Sequence, residues 1–470
     1  MDQSPASGRQ HWTRRDLLKL ALVGTAVPFM AEGSAKPGES PPAESDDSRM
    51  LARRAAHFRE LILNGAMGPG GMIISWLRFD TRRPFQEGEP VPDHFVETLD
   101  RVWGPASPRP TPAEWLYGEN TLWATGWFLY SQILRYRATG EPEARQTAQK
   151  CFRDLNNIFR LCRSIDPGLL AKPHGGRAGA TTSPDQSACP VIFYAMYARE
   201  LATPEEKAQA VENMNLHGEL YIRRNWEMNH FGNLLKVVDI DPANFSIWIN
   251  GPPTTTMKYL ACEYAAYQLT GETKFRDEAL KHMRKLIRSG FLPWPFNPYP
   301  TIHNLYYWAM LCDFWSKTEL AAEFDWAGCI REYWQAARAS LDVDGLARLG
   351  DYDTKKQSFA PYTSVWLPAE RQKSPAVRQW RSATLYNGRP LGSAFAAALG
   401  LLARSHGLDD SAHVVARKIL TRMDEDTLRL WWGRDEKFPE ELKPMLNVFA
   451  PEVAGAWQIA YWMGRSQQVW

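Results

Sequence analysis

The stretch Glu119–Leu155, "ENTLWATGWFLYSQILRYRATGEPEARQTAQKCFRDL", is matched in organisation by Thr254–Ile287, "TTTMKYLACEYAAYQLTGETKFRDEALKHMRKLI". Each stretch contains an aromatic-rich apolar segment, the turn Thr-Gly-Glu, and a second segment that carries many charges. The apolar pattern predicts a buried first helix, and the charged pattern predicts a second helix that faces water. The two stretches therefore predict a helical hairpin that is repeated along the chain.

Other segments follow the same order, which predicts about six hairpins in all. They are 185–201 with 204–221, 303–315 with 325–341, 391–406 with 409–423, a lone helix from Pro451, and an opening helix over 48–63. Strand patterns are sparse, and the best are "SIWIN" before Gly251 and "GMIISWLRF" from Gly71. Loops of very unequal length favour a closed ring over a superhelix of constant repeats. We therefore predict an all-α (α/α)6 toroid over residues 48–470.

The first residues resemble a twin-arginine export signal. Arg14 and Arg15 precede two leucines, a lysine and the apolar run 20–30, and Gly33-Ser34-Ala35 follows as a small-residue cleavage site. The run is about half of the roughly 20 apolar residues that a membrane-spanning helix needs. We predict a signal peptide over 1–35 and a disordered leader over 36–47. The mature protein is then periplasmic or secreted, is carried by the twin-arginine machinery, and has no stable membrane anchor.

Composition and motifs narrow the classes of function. The formal net charge of the 470 residues is +2, which gives no reason to expect nucleic acid as a partner. The six cysteines form no CxxC pair, and five lie in apolar helical patterns, which predicts buried thiols. An HExxH motif and a Gly-rich phosphate loop are both missing. The residues thus predict no metal and no cofactor, and they favour hydrolysis, hydration or elimination.

The starts of the inner helices are polar. They are Tyr117–Asn120, Ser183–Gln186, Pro253–Thr256, Thr301–Asn304, Tyr386–Arg389 and Ala450–Glu452. In a ring of parallel inner helices these starts lie at one end, so we expect them to form one polar mouth. Polar residues at helix starts are also ordinary N-caps, which accounts for the threonines 254–256 without any functional role.

Asp185 is the start residue that capping explains least. In "HGGRAGATTSPDQSACPVIFYAMYARELATPEE", from His174, Ser183 can cap the helix and Pro184 can take its first position. Asp185 then lies in the first turn, where it either faces the mouth or matches the helix dipole. The sequence pattern gives Glu119 the same place, the first turn of its own inner helix. Two carboxylates at one mouth could divide acid and base work if their surroundings separate their pKa values.

These segments resemble the six-hairpin glycosidases, most nearly the unsaturated glucuronyl and rhamnogalacturonyl hydrolases and related glucuronidases. The resemblance rests on the order of hairpins, on the Thr-Gly-Glu turns, and on an acid that opens an inner helix before "IFYAMYARELAT". In those families an Asp at the start of an inner helix is the acid/base. The resemblance therefore implies a glycoside hydrolase that acts on uronate-containing oligosaccharides, and the export signal places it outside the cytoplasm. It also implies that a neutral Asp185 protonates the substrate while Glu119 stabilises the positive charge that develops.

Further residues are predicted to bind the substrate. A uronate substrate needs a cation, because burying its carboxylate without a partner is costly. Arg177 and Arg389 lie in loops at the mouth and are candidates for that cation. The predicted substrate-binding residues are Trp123, Arg177, His230, His303, Asn304, Tyr386 and Arg389.

From the helix dipole alone, a first-turn Asp contributes only about 0.3–1 kcal/mol. We therefore expect Asp185→Asn to change the melting temperature little.

Two alternatives remain open at this level. In a polysaccharide lyase, a histidine and a tyrosine of the mouth would abstract the proton next to a uronate, and an asparagine would hold the enediolate. Those candidates are His303 or His230, Tyr306 or Tyr386, and Asn304 or Asn229. In a non-catalytic glycan-binding protein, aromatic residues would line the mouth and the acids would be caps. A new double bond in the product identifies the lyase, and retention of intact glycan identifies the binding protein.

Overall fold

The structure is a computed structural model. It describes residues 46–91, 110–174, 177–178, 182–230, 233–239, 252–293, 297–301, 304–361, 388–429 and 446–470. The predicted signal peptide, nearly all of the predicted leader and the predicted strand "SIWIN" lie outside the described residues. Within the described residues, every helix is too short or too polar to span a bilayer.

Helices make up most of the described chain. In chain order they are α1 (Asp46–Leu61), α2 (Pro112–Gly118), α3 (Thr121–Thr139), α4 (Pro142–Cys162), α5 (Pro184–Glu200), α6 (Pro204–Arg223), α7 (Pro252–Thr270), α8 (Thr273–Arg288), α9 (Leu305–Trp315), α10 (Trp326–Ser340), α11 (Gly388–Ser405), α12 (Ala412–Arg422) and α13 (Pro451–Ser466). A π-helical turn, Ile62–Ala66, extends α1, and a 3-10 turn spans Glu425–Leu428.

Six of these helices form a closed inner ring. Along the chain α3, α5, α7, α9, α11 and α13 each contact the next, and α13 contacts α3. Outside them, α4, α6, α8, α10 and α12 each pack against the inner helix that precedes them, and α1 packs against α13. The predicted all-α (α/α)6 toroid is therefore confirmed, and the helices follow the predicted hairpins closely.

The hairpin that closes the ring joins the first and last helices of the described chain. The rings of Phe58 on α1 and Trp457 on α13 meet edge to face with centroids 5.1 Å apart. The side-chain amide of Gln458 donates to the carbonyl of Ala55 at 2.5 Å. The outer partner of α13 is therefore α1, which comes from the other end of the described chain.

The two Thr-Gly-Glu turns have the same geometry. Gly140 and Gly271 adopt φ of 70° and 80°, the left-handed conformation in which glycine is favoured. The hydroxyls of Thr139 and Thr270 each accept from the backbone N–H two residues later, at 3.1 and 3.2 Å. The repeat that was inferred from sequence therefore extends to the atoms of the turn.

Burial separates the two rings. Inner helices are buried on almost every side, and α13 is buried continuously from Pro451 to Tyr461. The outer helix α8 instead buries one stripe, Phe275, Ala279, Leu280, Met283 and Leu286. All six cysteines are buried. Apolar inner helices and amphipathic outer helices are the pattern that the sequence predicted.

Aromatic side chains fill the centre of the ring. Trp127 of α3 lies with its ring centroid 5.0 Å from that of Phe395 on α11 and 5.6 Å from that of Tyr307 on α9. Tyr306 stacks on Phe395 at 5.4 Å. These rings belong to the core, so much of the unusual aromatic content serves packing.

The strands are short and lie in the connections that lead to inner helices. They are β1 (Leu77–Arg78), β2 (Pro173–His174), β3 (Arg177–Ala178), β4 (Glu227–His230), β5 (Asn233–Lys236), β6 (Tyr299–Thr301), β7 (Gly350–Asp353), β8 (Ser358–Pro361) and β9 (Val448–Phe449). The antiparallel pairs are β1–β9, β2–β3, β4–β5, β6–β7 and β7–β8. The candidate strand from Gly71 is regular only over Leu77–Arg78, because little partner backbone runs beside it.

Candidate functional site

The starts of four inner helices lie together, where the sequence predicted that all six would do so. The amide of Gln186, in the first turn of α5, bonds the backbone N–H of Trp123 on α3 and the side chain of Asn120. Asp185 forms an ion pair with Lys258 on α7, and Asn120 lies close enough to Glu452 of α13 to lower the pKa of its carboxyl group. Side chains from four inner-helix starts therefore meet at one end of the ring. We call this end the mouth.

Asp185 is held in the first turn of α5 but is not its cap. The Ser183 hydroxyl accepts the Gln186 N–H at 3.3 Å, and Pro184 occupies the first helical position. The Asp185 carboxylate forms an ion pair with Lys258 and keeps 28% of its side chain exposed, whereas the Lys258 side chain is 0% exposed. Asp185 thus lies between a buried cation and the solvent.

Lys258 is the main residue that sequence reasoning missed. Its Nζ lies 4.6 Å from the centroid of the Tyr307 ring, so a cation–π contact supplements the ion pair. Burial lowers the pKa of the Lys258 ammonium, and the neighbouring Asp185 carboxylate opposes that shift. A single lysine inside the apolar helix "MKYLACEYAAY" was the available signal, because a buried charge requires a partner.

The pairing bears on the chemistry of Asp185. A cation beside a carboxylate stabilises its ionised form. An ionised Asp185 is suited to accept a proton or to stabilise positive charge, and it can donate a proton only after its contact with Lys258 is lost. The role of Asp185 as a neutral proton donor stays a prediction. The contact with Lys258 favours the ionised form of Asp185 instead.

Glu119 does not occupy the place on its helix that the sequence pattern indicated. The short helix α2, which begins with a capping box of Thr111 and Glu114, ends at Gly118, and Glu119 is its C-cap. Asn120 takes the N-cap of α3, so Glu119 precedes the first turn of the inner helix. The expected first-turn position was wrong because α2 runs directly into α3.

Glu119 nevertheless lies in an ion pair. Its carboxylate is bound by Lys172, from the connection between α4 and β2, with 13% and 3% of the two side chains exposed. The paired lysine, like Lys258, comes from a distant part of the chain. Whether Glu119 acts with Asp185 stays a prediction.

Glu452 is the most deeply buried acid among the described residues of the mouth. It lies in the first turn of α13 and is 1% exposed. Burial raises the pKa of Glu452 to about 8, and the neighbouring Asn120 amide opposes that shift. The sequence identified its helix start but not its role, because burial of one carboxyl group is decided by the packing of neighbouring helices.

The structure places three of the other predicted residues. Trp123 is 4% exposed, and its ring lies edge to face with Tyr307 at 5.5 Å. Asn304 is 1% exposed at the N-cap of α9. Arg389, in the first turn of α11, donates to Asp342 at 2.6 Å. The Trp123 ring is thus packed against the core rather than open to a sugar, while Arg389 keeps 37% of its side chain exposed.

The remaining predicted residues are only partly described. His303 and Tyr386 lie outside the described residues. The backbone of Arg177 is in β3 and that of His230 is in β4, where it pairs with Asn233, but their side chains are outside the description. Their predicted roles stay predictions.

Tyr306, one candidate base of the lyase alternative, points away from the mouth. Its hydroxyl lies 3.5 Å from the sulfur of Met463, in the last turns of α13. Burial raises the pKa of Tyr306 well above its usual value. Tyr306 is therefore unsuited to abstract a proton from a substrate at the mouth.

Within the described ranges, no cluster of three His, Cys, Asp or Glu side chains is placed to hold a metal ion.

Comparison with protein-family models and with curated protein sequences gives no match. Comparison with solved structures finds the crystal structure of a D-mannose isomerase, with a TM-score of 0.44 and 12% sequence identity. The superposition covers 81% of this chain and 87% of the isomerase chain. The ring of six hairpins is established by the contacts of this chain's own helices and not by that similarity.

Proposed function

We propose that this protein is a carbohydrate-processing enzyme whose active site is the mouth, with Asp185 as the catalytic carboxylate. The observation that carries the proposal is the Asp185–Lys258 pair, in which a buried cation holds a partly exposed carboxylate at the start of an inner helix. A surface ion pair of two mobile side chains contributes little. A lysine that is buried completely beneath one carboxylate instead fixes the charge and the position of that carboxylate.

The proposed reaction is glycoside hydrolysis of uronate-containing oligosaccharides outside the cytoplasm. Asp185 in its ionised form accepts a proton from the attacking water or faces the positive charge at the anomeric carbon, and the leaving glycosidic oxygen takes up a proton from solvent water as its bond to that carbon breaks. Glu119 is the proposed second carboxylate of the mouth. Arg389 has exposed surface near the start of α11 and is the proposed partner for a uronate carboxylate.

The same pair favours a second candidate function. Abstraction of a proton from a carbon next to a carbonyl needs an ionised base, and the contact with Lys258 stabilises that form of Asp185. Isomerisation or epimerisation of a reducing sugar, and elimination from a uronate, all begin with such a step. In these reactions Asp185 takes the proton without first losing its ion pair.

A panel assay distinguishes these reactions. The purified mature protein is incubated with uronate disaccharides, with 4-nitrophenyl β-D-glucuronide, and with free aldoses and ketoses in deuterated water. New reducing ends without a new double bond support the hydrolase, and a new double bond identifies a lyase. Deuterium at the carbon next to the carbonyl identifies an isomerase or epimerase. Tight retention of glycan with no chemical change in any arm would contradict an enzyme.

A further inference from the structure

A groove lies on the outside of the ring, between the end of α6, the hairpin of β4 and β5, and the second half of α8. Its volume is about 550 Å³, within the range of roughly 300–1,000 Å³ that is usual for small-ligand sites. We call it the rim groove. The charged residues that line it are Lys236, Asp239, Glu278, Lys281 and Lys285.

The rim groove lies at the same end of the ring as the mouth. The Thr-Gly-Glu turn reverses the chain between α7 and α8, so the second half of α8, with Lys281 and Lys285, lies beside the start of α7. The Thr256 hydroxyl of α7 also donates to the carbonyl of Val237, directly after β5, at 2.8 Å. Lys258 follows two residues later in α7. Because packed helix axes are roughly 8–10 Å apart, the groove is about one helix layer away from Lys258.

Two lysines of the rim groove are not neutralised by the protein. Lys281 is paired with Glu278, whose two carboxylate oxygens each lie 3.1 Å from its Nζ. Among the residues that the structure describes, no carboxylate forms an ion pair with Lys236 on one wall or with Lys285 on the other. Both of these side chains are exposed. Their ammonium groups are therefore available to an anionic ligand.

The other lining residues narrow the class of ligand. Ionised Glu278 and Asp239 only accept hydrogen bonds, so they disfavour a simple anion such as phosphate and suit the hydroxyls of a sugar. Trp226 and Val238 also line the groove, with 3% and 5% of their surface exposed, and give it an apolar base. Cations, hydrogen-bond acceptors and an apolar base together match a uronate sugar, which has a carboxylate, several hydroxyls and an apolar ring face.

The backbone at the base of the groove is strained. Asn225 and Trp226 have φ of 48° and 64°, a conformation that is rare outside glycine and most unusual for a bulky side chain. The Trp226 ring stacks on Tyr221 with centroids 5.2 Å apart and meets His282 edge to face at 5.3 Å. Strained residues persist only where packing holds them, and they are concentrated at functional sites. The packing of Trp226 thus fixes the shape of the groove.

We propose that the rim groove is a second binding site for the substrate, which takes a uronate unit several sugars away from the position at which Asp185 acts. This inference rests on the proposed function of the mouth and deepens it. The preferred substrate is then an acidic glycan longer than a disaccharide, bound at the mouth by one part of its chain and at the rim groove by another.

The first test is the dependence of KM on substrate length in the double variant Lys236→Gln with Lys285→Gln. On a hexasaccharide of whichever uronate glycan the panel shows to be turned over, KM should rise about tenfold, because two exposed charged contacts are lost. The kcat should stay within about twofold, because the lost contacts are remote from the reacting atoms. On the disaccharide, which is too short to occupy both sites, KM should not change. An equal rise in KM for the two lengths would overturn the proposal.

The double variant Lys150→Gln with Lys207→Gln is the matched control. These lysines are also exposed, but they lie in the first halves of α4 and α6, away from the mouth. The change in net charge is the same, and KM should stay as in the wild type for both lengths. Since all four side chains are exposed, both double variants should melt like the wild type. A rise in the hexasaccharide KM that is equal in the control would show an effect of net charge and would contradict a local site.

A binding test separates the rim groove from the proposed function. If no sugar of the panel were turned over, the proposed function would fail, and calorimetry would still measure binding of hexagalacturonate and of its fully methyl-esterified form, which has the same length and no charge. The wild type and the control variant should bind the acid about tenfold or more tightly than the ester, and the Lys236→Gln, Lys285→Gln variant should lose that preference. Absence of binding to the wild type, or a preference that persists in this variant, would overturn the proposal.

Discussion

At the scale of single residues, the Asp185–Lys258 pair changes what a substitution at Asp185 should do. From its place in the first turn, Asp185→Asn was expected to alter the melting temperature little. In the structure that substitution leaves a completely buried lysine beside a neutral amide. Removing one partner of a buried ion pair is destabilising, because the other charge loses its compensation.

We therefore expect Asp185→Asn to lower both the rate and the stability. The rate should fall about 10²- to 10⁴-fold, as for loss of an acid–base group. The free energy of unfolding should fall by about 3 kcal/mol, the lower end for a broken buried pair, because Asp185 keeps some contact with solvent. Denaturant titration and kinetics on the identified substrate measure the two effects.

The double variant Asp185→Asn with Lys258→Met separates stability from chemistry. Replacing both charges by neutral groups removes the uncompensated cation, so most of the lost stability should return while the activity stays low. Recovery of activity together with stability would show that Asp185 is a structural residue.

At the scale of elements, α3 and α5 pack with their backbones close together. A Cβ added to Gly126 of α3 would lie 2.9 Å from the Cα and 3.0 Å from the N of Pro190 on α5. Those are backbone atoms of a buried inner helix, so they cannot move aside cheaply. The ring of Pro190 also fixes its φ near about −65°, so the backbone at this position has little freedom to adjust.

Gly126→Ala should therefore destabilise the protein by roughly 1–3 kcal/mol through overpacking. Gly455→Ala on α13 is the matched control, because its new Cβ would meet Phe128 N at an ordinary 3.8 Å. There the better helix propensity of alanine should leave stability unchanged or raise it by up to about 1 kcal/mol. Thermal unfolding of the two variants measures the contrast, and equal effects would argue against close α3–α5 packing.

At the scale of the whole molecule, buried carboxyl groups make stability depend on pH. Burial raises the pKa of Glu263 well above its usual value, and Glu219 and Glu278 from the two flanking helices add to the shift. Both side-chain oxygens of Glu263 lack a hydrogen-bond partner among the described residues. A folded-state pKa above the unfolded value means that the stabilising contribution is complete at acidic pH and is lost as the pH rises.

Glu263→Gln should accordingly remove part of the alkaline decline in stability. The gain in melting temperature over the wild type should be larger at pH 8 than at pH 5. The lower value, about pH 5, is close to the pKa of a glutamate in the unfolded chain, so little stability has been lost there. A gain that is equal at the two pH values would show that Glu263 does not titrate in this range. A gain that is larger at pH 5 would reverse the sign and contradict the assigned direction.

Export concerns the whole chain and stays a prediction, since residues 1–45 lie outside the described part. Replacing Arg14 and Arg15 by lysine should abolish export, because the paired arginines and the short apolar run together define the signal. Fractionation of cells that express the two forms measures this. Normal amounts of the lysine variant outside the cytoplasm would contradict the twin-arginine route.

The sequence by itself determined the hairpins, their order and the ring. Helical period, the Thr-Gly-Glu turn and the capping of α5 by Ser183 are local properties, each decided by residues within a few positions of one another. They were enough to predict the inner and outer helices and to place Asp185 in a first turn.

Only the tertiary structure decided which charges meet. Lys258 is 73 residues from Asp185, and Lys172 is 53 residues from Glu119. Such contacts depend on how each helix is rotated about its axis in the ring, and that rotation results from the packing of many apolar side chains at once. A local pattern shows that a buried charge needs a partner, but only the packed ring supplies one.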